Sequence, residues 1–132
     1  MKFCDAGENT ALTLLLQSTE APVLYLGLYT DAVEPAEDAT LSDLTEPTTG
    51  SFSEGQRISL AKLDWTVVTD TATNLQKTFT ALVDVGNVYG YFLTDVASGV
   101  VGDLWAVETF ADAPYNVLTG GLVKITPRII AQ

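Results

Sequence analysis

Apolar and polar residues alternate along most of this chain with a period near two, and short clusters of Gly, Pro, Asp, Asn and Ser interrupt the runs. That pattern predicts strands joined by turns. The clearest stretch is 87–110. It reads Asn-Val-Tyr-Gly-Tyr-Phe-Leu-Thr, then turn residues from Asp95 to Gly102, then Leu-Trp-Ala-Val-Glu-Thr-Phe. Both arms are rich in β-branched and aromatic residues, so the stretch predicts a long hairpin. Alternation puts Val88, Phe92 and Val96 on one face and Tyr89, Tyr91 and Leu93 on the other. With both faces apolar, the first arm reads as a strand near the middle of a sheet.

The rest of the chain adds shorter elements. Asp5-Ala-Gly-Glu8 has capping-box spacing and opens a short helix over 5–18, with Leu12, Leu15 and Leu16 on one face and Leu14 widening it. That helix either closes one end of a sandwich or docks a neighbouring subunit. Val23 to Thr30 predicts an interior strand whose Gly27 marks a bulge or a close backbone approach. Residues 31–55 form a long acidic loop, with one helical turn expected at Leu41-Ser-Asp-Leu44. A loop of that length in a small domain is usually functional or mobile. From Arg57 to Val68 the alternation changes phase, from Ile58 and Leu60 to Leu63, Trp65 and Val67, which predicts a break at Ala61-Lys62.

Residues 69–76 read as a polar turn. Lys77 to Val85 predicts a half-buried strand with Phe79, Ala81, Val83 and Val85 inward, and Gly86-Asn87 a hairpin turn. Residues 111–121 read as a loop. Leu122 to Ile130 predicts the last strand, with Val123, Ile125 and Ile129 on one face and Pro127 placing its end at a sheet edge. The sum is a mainly β chain. We expect residues 1–132 to form a single antiparallel β-sandwich or barrel-like domain of about six to seven strands with a short N-terminal helix.

Charge narrows the partners. The formal net charge is −11, from 17 acidic and six basic residues. Such a chain lacks the cations that phosphate contacts need, so neither nucleic acid nor an anionic membrane is expected as a partner. Charged residues make up only 17% of the chain, below the ~25% of an ordinary soluble domain. A surface so poor in charge suits either an ordinary β-protein with Thr-rich outer faces or one that is partly covered by a partner. No apolar run approaches the ~18 residues of a membrane span. Cys4 stands alone, so no internal disulfide is available.

The residue inventory offers little reactive chemistry. Without histidine there is no Ser-His-Asp triad, Cys-His pair or histidine metal site. No phosphate-binding glycine loop occurs. The acidic loop has the oxygen ligands that calcium takes, but not the spacing of a calcium-binding loop. We therefore expect no catalytic, cofactor-binding or metal-binding residues and no cofactor. A remote alternative is a carboxylate-dependent glycoside hydrolase, for which a pair among Asp84, Asp95, Asp103 and Glu108 would serve. Glu108 is expected to face outward or to pair with Lys124 or Arg128.

Several segments taken in order resemble a known group. They are Gly7-Glu8 before the helix, Leu-Tyr-Leu-Gly-Leu-Tyr-Thr (24–30), Leu-Ser-Asp-Leu-Thr-Glu (41–46), Trp65, Phe79-Thr80, Val-Tyr-Gly-Tyr-Phe (88–92), Leu-Trp-Ala-Val-Glu-Thr-Phe (104–110) and Gly-Gly-Leu-Val-Lys-Ile-Thr-Pro (120–127). This series resembles the small β-rich virion proteins encoded in tailed-bacteriophage structural gene regions, with 46–56 as a departure, since the family runs more directly into an aromatic strand there. The resemblance implies a structural virion protein, foremost a capsid decoration or cement protein. It implies contact with the major capsid protein or another virion protein, symmetric association of copies, and residence in the phage particle after assembly in the host cytoplasm. A tail or head–tail connector component, or a glycan- or receptor-binding virion module, is the alternative. The interface candidates are Leu12, Leu16, Tyr25, Tyr29, Leu41, Leu44, Tyr91 and Tyr115; the competing expectation for the tyrosines is that most of them are core.

Overall fold

The computed structural model describes residues 12–130. Cys4 and the Asp5–Glu8 capping box lie outside the described residues. Residues 12–17 are helical. Eleven strands follow among the described residues: β1 (Leu24–Tyr29), β2 (Arg57–Leu60), β3 (Thr66–Val68), β4 (Thr71–Thr73), β5 (Lys77–Thr80), β6 (Gly86–Val88), β7 (Gly90–Thr94), β8 (Leu104–Thr109), β9 (Tyr115–Val117), β10 (Leu122–Ile125) and β11 (Arg128–Ile130). All pairings are antiparallel. The mainly β class is as expected.

The largest sheet has the order β2-β1-β7-β8, so β1 and β7 are interior, as their two apolar faces require. One face carries Leu24, Leu26, Leu28, Leu60, Tyr91 and Leu93 into the main core. There they meet Ala72 of β4, Phe79 of β5, Val88 of β6, Val117 of β9 and Val123 and Ile125 of β10, together with Trp65, Leu12 and Leu16. The smaller sheets that supply these residues, β10-β5, β11-β4-β3 and β6-β9, thus lie opposite the large one in a sandwich-like arrangement. The other face of the large sheet carries Tyr29 and Phe92, and the acidic loop covers it with Leu41 and Leu44.

Two glycines explain how aromatic residues fit on that second face. Gly27 pairs with Phe92 and Gly90 pairs with Tyr29 across β1 and β7. The Phe92 ring fills the space where a Cβ on Gly27 would stand, and Tyr29 does the same at Gly90. Each ring covers the glycine of the neighbouring strand, so of the bulge and the close approach expected at Gly27 the structure has the close approach.

Several expected strands are broken, which is why eleven short ones replace six or seven. The Asn87 arm is not one strand. Val88 belongs to β6 and packs in the main core with Tyr91 and Leu93, while Tyr89 packs with Phe92 on the other face. The phase slips at Tyr89, whose N–H bonds the Tyr29 carbonyl (3.0 Å) and whose carbonyl accepts from Phe110 (2.9 Å). Gly86-Asn87 is therefore strand rather than turn, and the expected loop 111–121 supplies its partner β9. The turn expected at 69–76 contains β4, and the last strand divides at Thr126-Pro127 into β10 and β11. β11 lies at a sheet edge, as Pro127 indicated.

Four side chains depart from the expected burial. Val83 lies beyond the end of β5 and is exposed. Leu63 sits in a 3-10 turn (Lys62–Asp64) at the predicted break and points outward. Leu14 and Leu15 are exposed, leaving Leu12 and Leu16 as the helix's buried stripe.

The acidic loop is tied down along its length. Its 3-10 turn falls at Leu41–Asp43, where the Asp43 carboxylate accepts the Thr40 N–H (2.8 Å). Asp31 accepts the Thr45 N–H (2.8 Å). Phe52 packs edge-on against Phe79, with ring centroids 5.3 Å apart. The strongest tie is Arg57, whose side chain is 1% exposed. Its Nε and Nη2 donate to the two oxygens of Glu46 (2.9 and 2.8 Å), Nη1 to the Val96 carbonyl (2.9 Å), and Nη2 also to the Gly99 carbonyl (2.8 Å). Its guanidinium lies 5.4 Å from the centre of the Phe92 ring.

Two outcomes are expected from these contacts. Arg57→Ala strands a largely buried carboxylate and two carbonyls, and should lower unfolding stability by roughly 3–5 kcal/mol in urea titration, with new protease cleavage in 46–56. Gly27→Ala overpacks the Phe92 ring and should cost about 1–3 kcal/mol in the same measurement.

Candidate contact surface

Five of the eight residues expected at an interface are buried inside the chain: Leu12, Leu16, Tyr29, Leu41 and Tyr91. Their side chains serve the two cores and leave little surface for a partner. The tyrosines tolerate burial because their hydroxyls find partners. Tyr29 Oη is 2.7 Å from Thr109 Oγ1, and Tyr91 Oη donates to Glu108 Oε2 at 2.6 Å. Tyr25 and Leu44 are half-buried. Tyr115 is exposed and stacks on Phe110, centroids 4.8 Å apart, and Phe110 lies 6.4 Å from Tyr91. An aromatic ladder therefore runs from the core to the surface at that end of β7 and β8.

Other surface features carry more contact potential than those eight residues. Leu63, Val101 and Val33 are 88%, 90% and 80% exposed. β8 is an edge of the large sheet and carries Trp105, half-buried. A bulge opposite Leu93 and Thr94 makes Trp105 the extra residue of β8. Leu104 and Val107 consequently pack towards the Phe92 side, and Trp105 and Ala106 towards the main core.

The backbone phase of β8 follows from one bond. Phe110 donates its N–H to the Tyr89 carbonyl across from β8. In an antiparallel pair bonding residues alternate, so Glu108 and Ala106 turn their N–H and C=O to β7. Val107 and Thr109 turn theirs outward, and among the described residues these groups have no hydrogen-bond partner. The edge runs between two grooves. Glu34, Pro35, Glu37 and Ala39 of the acidic loop face Leu104–Val107 across one. Arg128, Ile129 and Ile130 of β11 face Trp105–Glu108 across the other.

The carboxylates considered for hydrolysis have structural partners. Asp84 accepts the Thr119 N–H and hydroxyl (2.8 and 2.9 Å), and these bonds lower its pKa from the ordinary carboxylate value. Asp95 accepts the Asp103 N–H (2.9 Å). Glu108 accepts from Tyr91 and lies 3.5 Å from Arg128, one of the two cations considered for it. Burial first, then donation to Glu108 and the charge of that carboxylate, push the Tyr91 phenol far above its ordinary value. Glu54 accepts the Thr80 N–H and hydroxyl, and the backbone bond above all lowers its pKa.

No group of metal-ligating side chains occurs among the described residues. No helix among them is long and apolar enough to cross a membrane. Their ion pairs are Arg57–Glu46 and Arg128–Glu108, so Asp31, Glu34, Glu37, Asp38 and Asp43 carry their charge without a cation among the described residues. Arg57 is the structural residue that sequence reasoning passed over. The available signal was a lone cation opening an apolar strand, Arg-Ile-Ser-Leu, directly after an acidic loop. No protein-family model, curated protein or solved structure matches this chain.

The Glu54 and Asp84 bonds set an acid limit. A carboxyl lowered in the folded state contributes stability above its unfolded pKa and loses it as pH falls through the folded value. Stability should therefore decline as the pH drops below the ordinary carboxylate range. Glu54→Gln and Asp84→Asn should each flatten that decline in urea titrations run from neutral to acid pH.

Proposed function

We propose that this chain is a structural component of a bacteriophage particle, a capsid decoration or cement protein that binds assembled shell subunits and stabilises the head. The observation that carries this reading is a sheet whose central strands are covered on both faces, with an open edge strand and exposed apolar side chains elsewhere on the surface. β8 offers unpaired backbone groups, and large apolar side chains stand out at Leu63, Val33 and Val101. The resemblance of the ordered segments to small β-rich virion proteins supplies the partner class. The role asks for a stiff scaffold with sticky edges, and copies that repeat by symmetry as the shell does. The acidic surface selects basic partner patches and disfavours nucleic acid.

The test mixes purified protein with undecorated shells and sediments them. Co-sedimentation at a fixed ratio to shell subunits supports the role; protein left wholly in the supernatant overturns it. Leu63→Lys and Val101→Lys change exposed residues only, so each should alter stability by no more than about 0.5 kcal/mol. At least one should weaken shell binding, and that one marks the bound face.

A further inference from the structure

We propose that the free edge of β8 takes an extended segment of a partner protein as an added antiparallel strand, and that this segment alternates basic and apolar side chains. The inference rests on reading the chain as an assembly component, and it names the chemistry of what is bound.

The edge supplies the backbone half of the recognition. Val107 and Thr109 present N–H and C=O groups outward with no partner among the described residues. An extended peptide satisfies such a row with the same bonds that join β7 to β8. Exposed edges are usually guarded by lysine, proline or a covering loop. Across Leu104–Thr109 β8 has neither lysine nor proline, and it is a full six residues long. Its bulge lies at the Leu104 end, clear of Val107 and Thr109.

The two flanking grooves supply the side-chain half. A strand laid on this edge sends successive side chains to opposite faces. On one face they meet Glu34 and Glu37 beside Leu104 and Val107. Glu34 and Glu37, with Asp31 and Asp38 in the same loop, carry charge that no cation among the described residues balances. On the other face they meet Ile129 and Ile130 beside Trp105, and the charges of Arg128 and Glu108 in that groove are paired with each other. Lysine or arginine suits the first groove and an aliphatic residue the second. A second copy of this chain suits the edge poorly. β8 brings no cation of its own, and pairing two copies here would set two acidic loops along one shared edge.

The test uses two blocked synthetic octapeptides, one alternating Lys and Val, the other alternating Glu and Val. Amide hydrogen exchange of the full chain is followed with each. The Lys–Val peptide should slow exchange at Val107 and Thr109, and added salt should weaken the effect; the Glu–Val peptide should do neither. Val107→Pro removes one edge donor at a position where an edge strand tolerates proline, and should abolish the protection. The exposed double variant E34K/E37K keeps the test decisive if Val107→Pro fails to fold. It should lose affinity for the Lys–Val peptide, by roughly two- to fivefold for each reversed charge, and gain affinity for Glu–Val.

Absence of protection by Lys–Val, or equal protection by both peptides, overturns the proposal. So does protection of Val107 and Thr109 that rises with protein concentration alone, which would assign the edge to a second copy. Failure of the broader role is distinguishable: peptide capture at β8 without shell binding removes the virion reading, and shell binding unaffected by E34K/E37K removes the edge assignment.

Discussion

A single buried guanidinium holds the two long connections of this fold to the sheet. Arg57 reaches Glu46 in the acidic loop and the Val96 and Gly99 carbonyls in the β7–β8 turn. Both segments sit next to the second face of the large sheet, where Leu41, Leu44 and Val96 pack, and Arg57 joins the two to each other. Burying a cation costs several kcal/mol, and that cost is recovered only if its donors are satisfied. Here four hydrogen bonds and the face of Phe92 accomplish that. The loop then keeps Leu41 over Phe92 and Tyr29, so the central strands β1 and β7 are covered on both sides.

The reciprocal covering of Gly27 by Phe92 and Gly90 by Tyr29 works on the same face. Glycine in a strand interior is usually a weakness because it has no side chain to pack. Here the missing Cβ atoms let two large rings reach over the neighbouring strand, where Leu41 and Leu44 of the loop pack on them. Arginine clamp, glycine pair and acidic loop form one unit, and it is this unit that leaves Glu34 and Glu37 standing beside β8.

Much of the fold was legible in the sequence where composition alone decides. Strands apolar on both faces had to be interior, and β1 and β7 are. The break at Ala61-Lys62, the turn at Leu41 and the close approach at Gly27 were likewise readable. What alternation cannot register is a slip of the backbone itself. At Tyr89 the apolar residues continue without pause while the chain changes sheet, so the sequence pattern reads as one strand. Leu63 shows the related limit, since a 3-10 turn has a period near three and throws outward a residue that a strand would turn in. The contact surface was less legible because a tyrosine reads equally as an anchor or as core, and Tyr29 and Tyr91 are core, with their hydroxyls bonded to Thr109 and Glu108. Unpaired backbone carries no residue signature at all.

The crossing at Tyr89 gives the sandwich a mechanical property. Two stacked sheets held only by side-chain contact can slide past each other under shear. Here β6 lies in one layer and β7 in the other, with Tyr89 as the sole residue between them. Covalent bonds therefore tie the layers together at that end of β7 and β8, and the Tyr89 bonds to Tyr29 and Phe110 brace the joint on both sides. Lateral load on one layer passes into the other as backbone tension there, so the two layers cannot slide apart at that joint without stretching the chain.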